Sequence, residues 1–264
     1  MKIVTFNLRC DYGQDGDNCF VFRQPLILKA IERERPDVLC FQEVLPHMAA
    51  WLKRSLGDYY IVGCGRGEKL DGEQMTVAFR KEAYQLLDMR TFWLSETPAA
   101  PGSRYPGQSS CPRTCTDAVL MEEESSQTFR VLNTHLDHVG KEARERGLLQ
   151  ILRHADSAEL FPGLPMILTG DFNAEPDSEE MRPLSACPGL VNATENIGVT
   201  YHGYGKADDP SQIDYIVLKG DLRCESIRKW TDQENGVYLS DHYPVCAEIS
   251  FRRAEPQLSA GSEN

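Results

Sequence analysis

A chain of 264 residues with 28 basic and 40 acidic side chains carries a formal charge of −12, which removes the basic footprint that binders of long nucleic acids rely on. A small phosphorylated partner is not excluded, because a few arginines or bound cations reverse the sign inside one pocket. Nine cysteines, an odd number without a Cys-x-x-Cys pair, argue against a disulfide framework or a zinc site, and no run approaches the roughly 18 apolar residues of a membrane span.

Residues 2–8 alternate as a strand that ends at Asn7, with no room before it for a cleavable leader, so a cytoplasmic location is expected. The Gly/Asp/Asn-rich stretch 11–18 cannot continue that strand. Helical spacing follows from about residue 22 to 34, with Pro25 tolerated near its first turn and Leu26, Ala30 and Ile31 facing inward, until Pro36 stops it. Residues 37–42 form a second buried strand that delivers Glu43 to its tip. A strand, a helix and a parallel strand make a β-α-β unit with Asn7 and Glu43 at matching ends. An acid at the end of an apolar strand is costly to bury unless it meets a cation or an ion-pair partner.

A helix over 46–56 leads to strands at 59–63, 76–80 and 84–93, close enough together to be hairpins. Residues 95–116 break this order: Pro98, Pro101, Gly102, Pro106, Gly107 and Pro112 mark a long irregular excursion that carries Arg104 and Arg113 and raises the hypothesis of a lid over substrate. A second β-α-β unit follows, with a strand at 129–136, a helix at 141–160 and a strand at 166–171, placing His135 and Asp171 at matching tips. Gly170 ends the last apolar run and presents Asp171 and Asn173 at the carboxyl end of the strand, where open α/β sheets keep their chemistry. With Phe172 pointing the other way, the two polar side chains share one side, a pair able to orient a water or hold a hard cation. A Gly-Asp turn with a self-bonded Asn fits this stretch alone equally well. Strands at 212–218, 223–230 and 245–251 close the chain. One domain over 1–253 and a disordered polar tail at 254–264 are expected.

Six short segments lie at these strand ends: Thr5-Phe6-Asn7, Phe41-Gln42-Glu43-Val44, Asn133-Thr134-His135-Leu136, Gly170-Asp171-Phe172-Asn173, Ile213-Asp214-Tyr215 and Ser240-Asp241-His242-Tyr243-Pro244. In this order and at these separations they resemble the endonuclease/exonuclease/phosphatase superfamily, the metal-dependent hydrolases that include deoxyribonuclease I, inositol-phosphate phosphatases, deadenylases and nocturnin. The motif style is closest to bacterial members and to the nocturnin/deadenylase-like branch. The resemblance runs from Asn7 to His242 and implies an α/β fold, a four-layer α/β/β/α sandwich with two facing sheets covered by helices.

It also implies hydrolysis of a P–O bond by activated water. Asn7, Glu43 and Asp241 would hold Mg²⁺ or Mn²⁺, which an oxygen-only ligand set suits better than zinc. Asp171 would accept a proton from the attacking water or orient it, and Asn173 would hold a phosphoryl oxygen or the cation. His135 and His242 would flank the scissile phosphate, and Asp214, a carboxylate inside an apolar strand, would fix a histidine tautomer. Arg113, in Pro112-Arg113-Thr114-Cys115-Thr116, matches a segment of the nocturnin-like branch and would clamp phosphate or a substrate carboxylate. Asp137 and His138 extend the His135 motif, and Arg144 either reaches the site or pairs with a nearby acid. The expected protein is a monomeric phosphoesterase acting on a small phosphorylated metabolite, a nucleotide or a short oligonucleotide. The alternatives are a nuclease acting on DNA or RNA and an inactive binding protein on the same scaffold.

Overall fold

The first strand, β1 (Lys2–Asn7), sends Ile3 and Thr5 to one face and Val4 and Phe6 to the other, and both faces are buried in the computed structural model, which describes residues 1–157 and 159–252. The expected tail at 254–264 lies outside the described residues. Helix α1 (Phe20–Glu34) covers the Val4/Phe6 face and returns the chain to β2 (Val38–Val44), parallel to β1 with Ile3 opposite Val38 and Asn7 opposite Gln42. Helix α2 (Pro46–Ser55) joins the same face, packing Met48, Trp51 and Leu52 with Leu26, Ile31 and Phe41. Strands β3 (Tyr59–Val62) and β4 (Gln74–Arg80) extend this sheet as an antiparallel hairpin beside β2.

β5 (Tyr84–Trp93) departs from the expected run of hairpins. It pairs with β6 (Thr114–Glu122) rather than β4 and so begins a second sheet. Tyr84 accounts for the change, since it is buried edge-on against Phe129 of β7 (Thr128–His135), with ring centroids 5.9 Å apart. Helix α3 (Lys141–Asp156) connects β7 to the parallel β8 (Met166–Asp171). The helix does not run on to residue 160, because the backbone N–H and the hydroxyl of Ser157 both bond the Arg153 carbonyl and close the last turn. The short α4 (Arg182–Ala186), β9 (Leu190–Asn192) and β10 (Asp214–Lys219) complete this half. β11 (Leu222–Lys229), the small pair β12 (Gln233–Glu234) and β13 (Val237–Tyr238), and β14 (Val245–Phe251) then return to the first.

Two six-stranded sheets result, ordered β11-β14-β1-β2-β4-β3 and β5-β6-β7-β8-β10-β9. Their facing surfaces share a core in which Ile3, Val38, Phe79 and Ala247 meet Leu120, Val131, Ile167 and Ile216. Helices α1 and α2 cover one outer face and α3 the other, which is the expected four-layer sandwich.

The rows facing this central core start apolar and end polar at one edge. β1 reads Ile3, Thr5, Asn7; β2 Val38, Cys40, Gln42; β7 Val131, Asn133, His135; β8 Ile167, Thr169, Asp171. Antiparallel β10 enters that edge with Asp214 before Ile216 and Leu218. Buried polar groups cost stability unless they find partners. Gln42 Nε2 donates across the sandwich to Asn133 Oδ1 at 2.7 Å, and Asn133 Nδ2 returns to the Phe41 carbonyl at 2.8 Å, so this edge is tied shut just beneath the cleft.

Candidate active site

Strand parity brings Asn7, His135, Asp171 and Asp214 to the same edge, and local backbone choices aim the remaining groups at it. Glu43 has the parity of the outer face, but its left-handed φ of 61° breaks the alternation and turns its carboxylate inward. Such a conformation is strained for a non-glycine residue and persists only where its surroundings hold it. The Cys10 N–H donates to Glu43 Oε2 at 2.7 Å and the Asn7 amide to Oε1 at 3.1 Å. Asn173, at φ 49°, uses the left-handed region that Asn tolerates. Phe172 points into the core under α3, as alternation requires, so Asp171 and Asn173 share the cleft side.

Arg23 of α1 was not singled out from the sequence, yet it holds much of this arrangement. Fully buried, it donates to the carbonyls of Leu8 at 2.8 Å, Arg9 at 3.2 Å, Asn18 at 2.7 Å and Leu239 at 2.9 Å, drawing the segment after Asn7 toward the one before Asp241. Thr200 acts similarly: its hydroxyl accepts from the N–H groups of Ile213 and Asp214, and its carbonyl accepts from Tyr243.

At the centre, Asp171 Oδ2 lies 3.0 Å from the Asn7 amide nitrogen, 3.5 Å from His135 Nε2 and 3.8 Å from His242 Nε2, while Oδ1 accepts from the Asn173 N–H at 2.9 Å. His242 Nδ1 meets Asp214 Oδ2 at 2.8 Å, which turns Nε2 toward Asp171. The Asn173 side-chain amide contacts His135 Nε2 at 2.9 Å and the Leu136 carbonyl at 3.1 Å. Asp241 is held by the Ser240 hydroxyl at 3.0 Å and faces Arg9 Nη1 at 3.6 Å.

Burial pushes the Asp171 carboxyl up, with the charge of Asp214 adding to it and His242 opposing. For His242, burial works against the proton, but the adjoining Asp214, then Asp241 and Asp171, override it and raise the imidazole. His135 goes the other way: burial, then Arg113 and Arg66, hold it well below the usual range, and it is neutral. Burial also opposes the charge of Glu43, and the Cys10 N–H and the Asn7 amide overcome that to lower it.

Ligand atoms of Glu43, His135 and Asp171 lie within 4.8 Å of one another, as do those of Asp171, Asp214 and His242. Asp241 falls outside both groups but lines the same cleft of about 400 Å³, together with Arg9, Arg113, His138 and Tyr201. Asn7 offers its amide nitrogen to the two carboxylates, while its oxygen accepts the Arg9 N–H at 2.9 Å. Three carboxylates, Glu43, Asp171 and Asp241, line the pocket with Asp214 behind His242, and they repel one another unless a cation or protons intervene, so the donor set suits a hard divalent ion.

Arg113 is buried, not a surface residue, and contacts Asp137 and His138. Arg144 stays out of the cleft in a buried pair with Glu180 at 2.6 Å. Arg104 is exposed on its loop, donating to the Ser109 carbonyl at 2.8 Å. Arg66 and Glu73 line the cleft without having been recognised, because they sit in an irregular turn instead of at a strand tip. The only signal was the flanking Gly65 and Gly67. All nine cysteines are free, and no helix among the described residues is long and apolar enough to cross a membrane.

Over residues 4–242 the chain matches the family described as Endonuclease/Exonuclease/phosphatase. It is similar to the endonuclease/exonuclease/phosphatase from Bacteroides vulgatus, with a TM-score of 0.89 and 30% identity, covering 95% of this chain and 98% of that one. A mannosyl-6-phosphatase from Bacteroides thetaiotaomicron superposes with a TM-score of 0.86 and 25% identity, over 95% of this chain and 100% of that one. Protein angel of Drosophila melanogaster is 27% identical over 179 residues, 65% of this chain; the match spans about half, 49%, of that protein.

Proposed function

The chain belongs to the endonuclease/exonuclease/phosphatase family, and from that premise we propose that it is a divalent-metal-dependent phosphoesterase, with its catalytic domain over residues 1–253, that hydrolyses a P–O bond of a small phosphorylated metabolite, nucleotide or short oligonucleotide in the cytoplasm. The observation that carries this reading is the environment of Asp171: a buried carboxylate between two histidines, with a second acid, Asp214, behind one of them. An ordinary structural ion pair needs one partner and no cleft.

Asp171 takes a proton from the attacking water. Its raised affinity for protons makes it a better base than an exposed aspartate, while the Asn7 and Asn173 N–H donors fix its two oxygens. Protonated His242, oriented by Asp214, donates through Nε2 to a phosphoryl oxygen, and neutral His135 with the Asn173 amide contacts another. Arg113 clamps the substrate phosphate or carboxylate. Glu43 and Asp241, together with Asn7, would hold Mg²⁺ or Mn²⁺, which when bound supplies charge neutralisation at the phosphoryl oxygens. The mannosyl-6-phosphatase likeness at 25% identity supports a small phosphorylated substrate.

A hydrolysis panel tests this, using aryl phosphate monoesters and diesters, nucleotides and single- and double-stranded oligonucleotides with added Mg²⁺ or Mn²⁺ and Asp171→Asn as control. Metal-dependent release from the small substrates, abolished in the variant, is expected. Cleavage confined to oligonucleotides would move the protein to the nuclease side, and full activity of Asp171→Asn would remove that residue from the chemistry.

A further inference from the structure

Two guanidinium groups in the cleft have more donors than partners. Arg66 is 8% exposed and Arg113 3%, and Nη1 of each has no hydrogen-bond partner among the described residues. Arg66 spends Nη2 on Glu73 Oε1 at 2.7 Å. Arg113 places Nη2 2.8 Å from His138 Nδ1 and Nε 3.5 Å from Asp137 Oδ1, at the margin of a hydrogen bond. Asp137 is itself occupied by the Val139 and Gly140 N–H groups and by Ser109, so it neutralises Arg113 only in part.

The backbone that carries each arginine is fixed. The Arg66 N–H donates to the Glu73 carbonyl at 2.9 Å, and its own carbonyl accepts from the Trp93 indole at 2.7 Å. The adjoining Gly65 packs so tightly that a Cβ there would stand 2.3 Å from the Asp71 carbonyl oxygen. Arg113 sits on the last residue before β6, with its carbonyl bonded to the Leu94 N–H at 2.8 Å. Two desolvated cations with unmet donors on one pocket cost stability that a bound anion recovers.

We infer that Arg66 and Arg113 form a clamp for the dianionic head of a phosphate monoester, making this enzyme a phosphomonoesterase for which diesters are poor substrates. The inference rests on the phosphoesterase reading above and narrows it. A monoester presents three non-bridging oxygens and up to two negative charges. A diester replaces one of those oxygens with a neutral ester group, leaving a buried guanidinium N–H without an acceptor. Planar forks with Nη1 unpartnered on each recognise that third oxygen, which a point charge would not.

The test compares kcat/KM for 4-nitrophenyl phosphate and bis(4-nitrophenyl) phosphate, with Mg²⁺ or Mn²⁺, in wild type, Arg66→Gln and Arg113→Lys. Orthophosphate is followed both as an inhibitor and by calorimetry. The wild type is expected to prefer the monoester. Each variant should lose monoester kcat/KM by roughly ten- to hundredfold, the loss of one charge-assisted hydrogen bond, and orthophosphate binding should weaken in parallel. Diester turnover should fall at least tenfold less, on the same estimate, so that the preference collapses. Equal losses on both substrates, unchanged orthophosphate binding, or a wild-type preference for the diester over the monoester overturns the clamp. If the wild type turns over neither ester, the phosphoesterase reading fails, and calorimetry still decides the clamp: weaker orthophosphate binding in Arg66→Gln supports it and equal binding overturns it. Arg66→Gln keeps a donor for Glu73, and Arg113→Lys serves should the first variant not fold.

Discussion

His242 lies between two acids with different tasks, Asp214 on Nδ1 at 2.8 Å and Asp171 near Nε2 at 3.8 Å. Orientation of the ring therefore depends on one hydrogen bond from β10. Replacing Asp214 by Asn keeps the size of the side chain but removes the charge and lets the ring turn. A fall in kcat of about a hundredfold is expected, the usual scale for a misplaced proton-transfer group, with an unchanged circular dichroism spectrum. Wild-type kcat in Asp214→Asn would make the pair structural. Half of this pair was legible in the sequence: a carboxylate inside Ile213 to Leu218 needs a partner and the family resemblance made it a histidine, but which of His135 and His242 it meets is set by the packing of β10. Arg66 was not legible, since its approach to the cleft depends on a turn whose shape is set by the distant Asp71, Glu73 and Trp93. The inward turn of Glu43 was hidden as well. Counting strand residues gives the parity of the outer face, and only the Cys10 N–H and the Asn7 amide explain the reversal.

Among the elements, β8 shows how narrowly the Asp171 carboxylate is placed. Gly170 adopts φ 151°, and a Cβ there would stand 2.1 Å from the Thr134 carbonyl oxygen on β7. Gly170→Ala therefore forces β7 and β8 apart just where His135 pairs with Asp171. A loss of about 3 kcal/mol or more is expected in denaturant unfolding, from overpacking combined with a strained backbone. A loss below about 1 kcal/mol would mean that the strands move apart freely. The long segment before β6 is fastened at several points: Ser95 and Tyr105 bond Gln150 of α3, and Ser109 bonds Asp137 through both its N–H and its hydroxyl. Asp137, which these donors with Val139 and Gly140 hold down to about 2, is the main anchor. Asp137→Asn should destabilise the protein by about 1–3 kcal/mol and open residues 95–113 to protease. Protease resistance equal to wild type would show that the other bonds suffice. Periodicity located both β-α-β units, because both faces of their parallel strands are buried and read as apolar runs. It could not tell that β5 changes sheets, since pairing partners depend on contacts such as Tyr84 on Phe129, 45 residues apart in the chain.

At the scale of the molecule, a charge of −12 coexists with a cleft that gathers Arg9, Arg66 and Arg113, so attraction for anions is local. Long duplexes meet a chain whose net charge is −12, and at about 0.15 M salt screening leaves little of the arginine field beyond roughly 8 Å. A 30-base-pair duplex should show no retention in a gel-shift assay under those conditions. Tight retention would reveal a basic track outside the cleft and favour a nuclease. The two halves, each a β-α-β unit with polar tips, were visible in the chain as a repeat of logic. Their face-to-face placement is what turns two sets of strand ends into one pocket.

The convergence of Glu43, Asp171 and Asp241 on that pocket is tested most directly by a divalent-metal titration of aryl phosphate hydrolysis after chelation, in wild type and in Glu43→Gln. Activity should be absent without cation, return saturably with Mg²⁺ or Mn²⁺, and in Glu43→Gln require a much higher cation concentration at a reduced maximum. Undiminished hydrolysis in the chelated wild-type protein, or an identical titration curve for Glu43→Gln, would contradict a cation site built on Glu43.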